Sequence, residues 1–304
     1  MSWIFLAGER VFKLKKPVRY SYLDFATLKA RERYCREETR LNRRLAPGVY
    51  RGVVPLTCSS TGVMTLGGGG KIVDWVVEMQ RLPADCMLDV RLKEGRVGEE
   101  DIGRLAEVLA NFYRHAEHPA VGPDMLFRHF MHEMAENRAV LLRPDLWSDQ
   151  SRASMLLDQL EAVLRRISPQ LRERAQSGCV VDGHGDLRPE HVCLTDPIVI
   201  FDCLEFNRDL RLVDPYDELT FLGMECARLN AAWFGRAVIE RVAELMGDKI
   251  PHDLLDIYTA LHAVLRSRLS LAHLLDPVPR EPQKWGPQAR QYLDLAEGAL
   301  ASLP

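Results

Sequence analysis

The feature that most constrains this chain is a change of hydrophobic period at Pro83. Before it, apolar residues recur in twos, as in half-buried strands. "SWIFLAGERVFKLKK" reads as two short strands about a Gly8–Glu9 turn, and Pro17 stops the second. "VYRGVVPLTC" and "KIVDWVVEMQRL" read as two more, and an Arg- and Glu-rich helical pattern runs from about 24 to 45 until Pro47–Gly48 ends it. After Pro83 the period lengthens to that of helices, over roughly 85–93, 99–116, 122–137, 150–175, 215–246, 252–275 and 286–301. The strand-like material there is "HVCL" and "IVIFDC", joined by the turn Thr195–Asp196–Pro197. The pattern predicts an α+β chain with a small strand-rich unit over 1–82 and a larger helical unit over 83–304 that carries one hairpin.

Composition removes several function classes. The 304 residues carry a formal net charge of −3, so no global basic field recruits nucleic acid or an anionic membrane. No apolar run approaches the roughly 18 residues of a membrane helix. The N-terminus is apolar first and basic afterwards, the reverse of a secretory signal. The 7 cysteines are scattered, with no Cys-x-x-Cys and no zinc-type spacing, so they read as reduced thiols of a cytoplasmic protein.

The run Gly67–Gly70 invites a phosphate-loop reading, but no Lys-Ser/Thr follows it and a strand resumes at once. A flexible hairpin loop is the expectation. Asp186 and Asp202 sit at the edges of apolar strand material, where a carboxylate is placed to meet a ligand; capping a turn and ending a strand are the plain alternatives. Alternation in "VFKLK" puts Val11, Lys13 and Lys15 on one face. Val11, two before Lys13, can lie against a base while the lysine reaches phosphates; a solvated lysine face is the competing reading. The helix separates the two. Tyr34, Glu38, Leu41 and Leu45 form one stripe, so Glu38 interrupts an apolar face, while Glu37 belongs with Arg33, Arg40 and Arg44 on the wet face. A carboxylate on a buried stripe needs a cation, and Lys13 is the natural one.

With these residues in place, the chain resembles the aminoglycoside phosphotransferase and choline kinase branch of the protein-kinase-like fold. That family's catalytic segment reads His-Gly-Asp-x-x-x-x-Asn, followed by a strand ending in a metal-binding Asp. His184-Gly185-Asp186-Leu187-Arg188-Pro189-Glu190-His191 matches it except at the last position, and Ile200-Phe201-Asp202 supplies the strand end. "VDPYDELTFL", residues 213 to 222, is similar to the segment that follows. Among subgroups the chain looks closest to uncharacterised bacterial aminoglycoside-phosphotransferase-like proteins.

The resemblance implies a bilobal fold, with an antiparallel-sheet N-lobe over 1–82 and a helical C-lobe over 83–304. ATP and Mg²⁺ would bind between them, with Mn²⁺ as the alternative ion. Asp186 would orient or deprotonate an acceptor hydroxyl, His184 would brace the loop, and Asp202 would hold the metal. Lys13 would contact phosphates, Glu38 would fix Lys13, and backbone groups around Met79, Gln80 and Arg81 would receive the adenine. Asp217 would support the catalytic loop. Two departures stand out. His191 replaces the metal-sharing Asn, so either His191 binds the ion or an oxygen of Glu205 or Glu190 takes over. The chain also starts inside what should be the second strand, without a first strand and glycine-rich loop. The implied activity is phosphoryl transfer to a hydroxyl of a small molecule. The alternative is a nucleotide-binding pseudokinase or regulatory module with little turnover, and AMP transfer is a remoter one. Glu133, Glu136, Asp158 and Glu225 are candidates to greet a cationic acceptor, with solvated helix faces as the plain reading.

Overall fold

The structure, a computed structural model, describes residues 1–20, 23–249 and 251–303. Strands β1 (Ser2–Ala7) and β2 (Arg10–Lys15) form the expected hairpin, in register from Ser2 opposite Lys15 to Ala7 opposite Arg10. Gly8 turns it at φ +58°, a left-handed value that glycine adopts without a Cβ clash. Two short strands missed by the sequence reading follow, β3 (Arg19–Tyr20) and β4 (Leu23–Asp24). Helix α1 (Leu28–Asn42) starts later than expected because the Thr27 hydroxyl caps it, accepting from the Ala30 N–H at 3.1 Å. Then come β5 (Tyr50–Cys58), β6 (Met64–Leu66) and β7 (Lys71–Gln80). The five longest strands make one antiparallel sheet in the order β1-β2-β7-β5-β6. The Gly67–Gly70 loop is tighter than a flexible connection: a Cβ on Gly70 would lie 2.3 Å from the Cys58 carbonyl oxygen, so its glycines allow close backbone approach.

Helices dominate after Pro83, as the period required: α2 (Leu88–Lys93), α3 (Glu99–His115), α4 (Met125–Leu141), α5 (Gln150–Arg166) and α6 (Ser168–Gln176). The expected single helix over 150–175 is two, because Pro169 lacks the N–H to continue it. Four two-residue strands come next: β8 (Val181–Asp182), β9 (Val192–Cys193), β10 (Val199–Ile200) and β11 (Leu212–Val213). β9 and β10 pair as the expected hairpin, and β8 pairs with β11. The expected helix over 215–246 is likewise two, α7 (Pro215–Arg228) and α8 (Ala232–Met246), parted at Asn230 with φ +62°. Helices α9 (His252–Ala272) and α10 (Pro282–Ala301) complete the chain. No described helix is long and apolar enough to cross a membrane.

Two compact units result. Where the periodicity marked residue 82, the first unit runs to Val97 and also takes in His184–Arg211, leaving Gly98–Gly183 and Leu212–Pro304 to the second. The reason is local packing. Ile200 donates its N–H to the Leu45 carbonyl at 3.3 Å, and Val199 and Phe201 pack on the core formed by Cys35, Ala46, Val49, Tyr50, Val77 and Met79. In the second unit α7 and α8 cross almost backbone to backbone, since a Cβ added at Gly235 would meet the Gly223 Cα at 2.5 Å.

Candidate active site

Alternation along β2 delivers Lys13 and Lys15 to one side of the sheet, toward α1 and the segment after β10. The Lys13 ammonium lies 2.7 Å from Glu38 Oε1 and 2.5 Å from Asp202 Oδ1. Lys15, two residues on, lies 2.6 Å from Glu38 Oε2, pairs with Glu205 Oε1, and sits over the Phe25 ring at 4.9 Å from its centroid. The two ammoniums therefore share one carboxylate, that of Glu38, which has no solvent exposure. Burial alone would raise a carboxyl pKa and lower an ammonium's. Here burial is outweighed: Lys13 and Lys15 hold Glu38 below its ordinary value, and Asp202 and Glu38 hold Lys13 well above its own. Asp202 is also pulled down against its burial, chiefly by Lys13. Glu205 goes the other way, its burial outweighing the help of Lys15.

Asp202 follows β10 in a left-handed conformation, φ +64°, which is costly for a residue with a Cβ and so must be held by its surroundings. Its N–H donates to the Tyr50 hydroxyl oxygen at 3.2 Å, and the next N–H, of Cys203, donates to Asn42 Oδ1 at 2.9 Å. The turn leaves the Asp202 side chain 40% exposed, with Oδ2 3.6 Å from His191 Nε2.

The other half of the site is the turn from His184 to His191. Gly185 takes φ +83°, and a Cβ there would lie 3.0 Å from Arg211 Cγ and 3.1 Å from Leu204 Cδ1, so glycine is required on both counts. The buried His184 ring braces the turn: Nδ1 accepts from the Asp186 N–H at 3.3 Å, which leaves Nε2 to donate to the Phe201 carbonyl at 3.0 Å. Burial, then the His191 ring, push the His184 pKa down to about 3, so it is neutral at ordinary pH. Arg188 Nη2 donates to Asp186 Oδ2 at 3.1 Å, with Nε 2.9 Å from Oδ1. The same Nη2 lies 3.2 Å from His191 Nε2, while His191 Nδ1 donates to the Asp186 carbonyl at 2.8 Å. Those partners assign His191 the Nδ1–H tautomer, with its Nε2 lone pair directed at arginine.

Every residue expected to act on nucleotide, metal or the transferred group lies in the first compact unit, where several meet, whereas Asp217 and the acidic acceptor candidates Glu133, Glu136, Asp158 and Glu225 lie in the second. Lys13, Glu38 and Asp202 form a continuous chain of ion pairs, and His191 stands between Asp186 and Asp202. Val11 and Met79 are opposite each other in register and pack on the same core. Two expectations need correcting. Glu205, expected as a candidate metal ligand, has a side chain only 8% exposed, and its carboxylate is taken by Lys15. Among the described residues no group of three His, Cys, Asp or Glu side chains is assembled that could hold a metal ion. Of the backbone groups around Met79, Gln80 and Arg81 expected to receive an adenine, the N–H groups of Gln80 and Arg81 already donate to the Val49 and Glu9 carbonyls at 2.8 and 2.9 Å, which leaves the carbonyls for that role. Sequence reasoning passed over Arg188 and kept Lys15 only as a face-mate of Lys13. The signal for Lys15 was the alternation itself, and for Arg188 its place inside the catalytic segment.

The arrangement suits anion binding next to a general base. Lys13 is a fixed ammonium beside a partly exposed, ionised carboxylate, and Asp186 is a second carboxylate on a braced turn. The fold is that of solved choline/ethanolamine kinase structures. A choline/ethanolamine kinase family protein from Mesorhizobium loti superposes with a TM-score of 0.55 at 15% identity, covering 99% of this chain and 88% of that one. A choline kinase from Cryptosporidium parvum superposes with a TM-score of 0.56 at 12% identity, covering 98% and 89%. In sequence, the chain is 32% identical over 287 residues to uncharacterised proteins of Mycobacterium tuberculosis and Mycobacterium bovis, covering 88% of this chain. The chain spans about half, 52%, of the length of these curated relatives. No family model matches the chain.

Proposed function

We propose that this protein is an ATP- and Mg²⁺-dependent phosphotransferase that moves the γ-phosphoryl group to a hydroxyl of a small molecule. The observation that carries the reading is the Glu38–Lys13–Asp202 chain of contacts at 2.7 and 2.5 Å, set beside the Asp186 turn. The choline and ethanolamine kinases that share the fold support the reaction class. The donor set fits a hard divalent ion in part: Asp202 is an ionised carboxylate on a side chain that is 40% exposed, and Mg²⁺ commonly takes one or two carboxylates and fills the rest from phosphates and water. When bound, the ion would neutralise charge on the phosphates.

The chain's own residues supply the remaining functions. Lys13 binds phosphate, and Glu38 keeps it charged and aimed; an incoming phosphate would compete with Asp202 for the ammonium. Asp186 accepts the hydrogen bond of the acceptor hydroxyl and takes its proton as the oxygen attacks phosphorus. His184, neutral and bonded on both nitrogens, holds the turn without exchanging protons. A second reading, a nucleotide-binding module with little turnover, draws on the Arg188–Asp186 ion pair, which must loosen before Asp186 can act as a base. The test is to incubate the protein with Mg²⁺–ATP and a panel of hydroxylated metabolites, following phosphorylated products by mass spectrometry. A phosphorylated product that Asp186→Asn does not form supports the transferase. Thermal stabilisation by Mg²⁺–ATP with no product from any acceptor supports the second reading, and no stabilisation removes both.

A further inference from the structure

Arg188 is a charged residue of the catalytic turn to which the proposed chemistry has so far given no task. Its side chain is 19% exposed, and its guanidinium touches the two side chains that would otherwise face an incoming cation: Asp186 on both carboxylate oxygens and His191 on Nε2. Each of those groups is an acceptor. Asp186 is a carboxylate, and His191, with its Nδ1 proton spent on the Asp186 carbonyl, offers only the Nε2 lone pair. Asp202 differs: Lys13 takes its Oδ1, while its side chain is 40% exposed and Oδ2 lies 3.6 Å from His191 Nε2.

We propose that the Arg188 guanidinium is the resident cation of the catalytic turn, standing between Asp186 and His191 so that the site takes up a single divalent ion, on Asp202. The inference rests on the phosphotransferase reading and deepens it. A guanidinium is a permanent charge that does not titrate in the working range, and its planar fork reaches a carboxylate and a ring nitrogen together. A divalent ion at His191 Nε2 would have to displace that hydrogen bond and sit against a positive charge in a partly desolvated site. It would also gain only an imidazole nitrogen, a poor exchange for a hard ion. With Arg188 in place, the catalytic-segment histidine takes a different role. His191 is an acceptor that orients arginine, and arginine in turn fixes the Asp186 carboxylate.

The experiment counts ions. Mn²⁺ binding would be measured by electron paramagnetic resonance on the intact chain with a saturating non-hydrolysable ATP analogue. Wild type should bind one Mn²⁺ per chain. Arg188→Ala should bind two, and nitrogen coupling from the added ion should disappear in Arg188→Ala/His191→Ala, which returns to one. Arg188→Gln, which keeps the length and loses the charge, should also bind two and serves where the alanine variant does not fold. Two Mn²⁺ in wild type, or one in both arginine variants, would overturn the assignment and leave the phosphotransferase reading standing. Failure of wild type to take up any Mn²⁺ with the analogue would bring down both.

Discussion

The two compact units each hold a buried network of charges, and the networks end differently. In the second unit, Asp214 caps α7 by accepting from the Tyr216 N–H at 3.0 Å, and it is held by Arg174 and by the Tyr258 hydroxyl at 3.3 Å. Three residues on, Asp217 pairs with His262 at 2.8 Å, and Glu218 accepts from the Tyr113 hydroxyl at 2.9 Å. Glu225 is gripped by Arg228 and Arg266, both at 2.7 Å, and by Tyr292 at 2.8 Å. The side chains of Asp214 and Glu225 have 0% exposure. The second network also has an outward arm, from Arg174 to Asp248 at 3.2 Å and 31% exposure, but its Glu225 end is closed. In the first unit the network runs from fully buried Glu38 through Lys13 to the more exposed Asp202, at 40%. A closed network fixes helices to one another. A network with one end open keeps a charged, partly exposed carboxylate in place at low conformational cost, which is what binding a charged ligand requires.

Substitutions should separate the two by what they damage. The largest effect is expected at Lys13: Lys13→Ala should lower phosphoryl transfer by about 10³-fold and remove thermal stabilisation by Mg²⁺–ATP. Intact transfer with a lowered melting temperature would make the first network another structural brace. Asp186→Asn should follow, losing roughly 10²-fold or more in turnover while nucleotide binding, read by titration calorimetry, stays. In the second network the damage should fall on folding. Arg174→Met strands Asp214 without its cation and should cost about 3–5 kcal/mol, measured by urea unfolding, with the activity of the remaining folded protein unchanged. Lost activity at full stability would show that the second network also serves the reaction.

A smaller effect sharpens the contrast through pH. Burial holds His184 at about 3, below its unfolded value, so the unfolded chain binds the proton more readily. Stability should therefore fall as pH drops from about 6.5, by at most ~1.4 kcal/mol per pH unit. For His262 the sign reverses: burial opposes its charge, but Asp217 outweighs burial and raises its pKa. Its contribution is complete below about 6.5 and lost as pH rises through the raised value. Unfolding curves from pH 5 to 9 should lose the acid-side slope in His184→Asn and the alkaline-side slope in His262→Asn. Slopes that survive both substitutions would assign the pH dependence to other groups.

Much of this was legible in the chain. Two periodicities gave the sheet and the helices, and a carboxylate on the buried stripe of α1 located the Lys13–Glu38 pair. What stayed hidden depended on contacts between distant segments. That Lys15 also reaches Glu38, and so occupies Glu205, follows from the register of β2 against α1 and from the path of the chain after β10. The helix breaks at Pro169 and Asn230 were masked because apolar spacing continues through them. The acidic residues expected to greet an acceptor illustrate the same limit. Glu133 and Glu136 face Arg268, Asp158 faces Arg138, and Glu225 faces two arginines, partners that spacing along one helix does not disclose.

The crossing of α7 and α8 has a consequence for how this chain tolerates random change. Every amino acid that can replace glycine in one step carries a Cβ, and at Gly235 that atom has no room beside Gly223. In a saturation library Gly235 should read as a column of near-uniform loss, whereas a Cβ at Gly223 meets only the flexible Ile239 Cδ1 at 3.3 Å and the Gly235 backbone at 3.9 Å, so alanine should be far better tolerated there. Gly103, Gly286 and Gly298 also sit in helices but have nothing within 4 Å of an added Cβ. Alanine there should be enriched, by an amount that matches about 0.5–1 kcal/mol of added helix stability. One residue type would thus mark both the least and the most improvable sites of the second unit, sorted only by whether another backbone lies behind it.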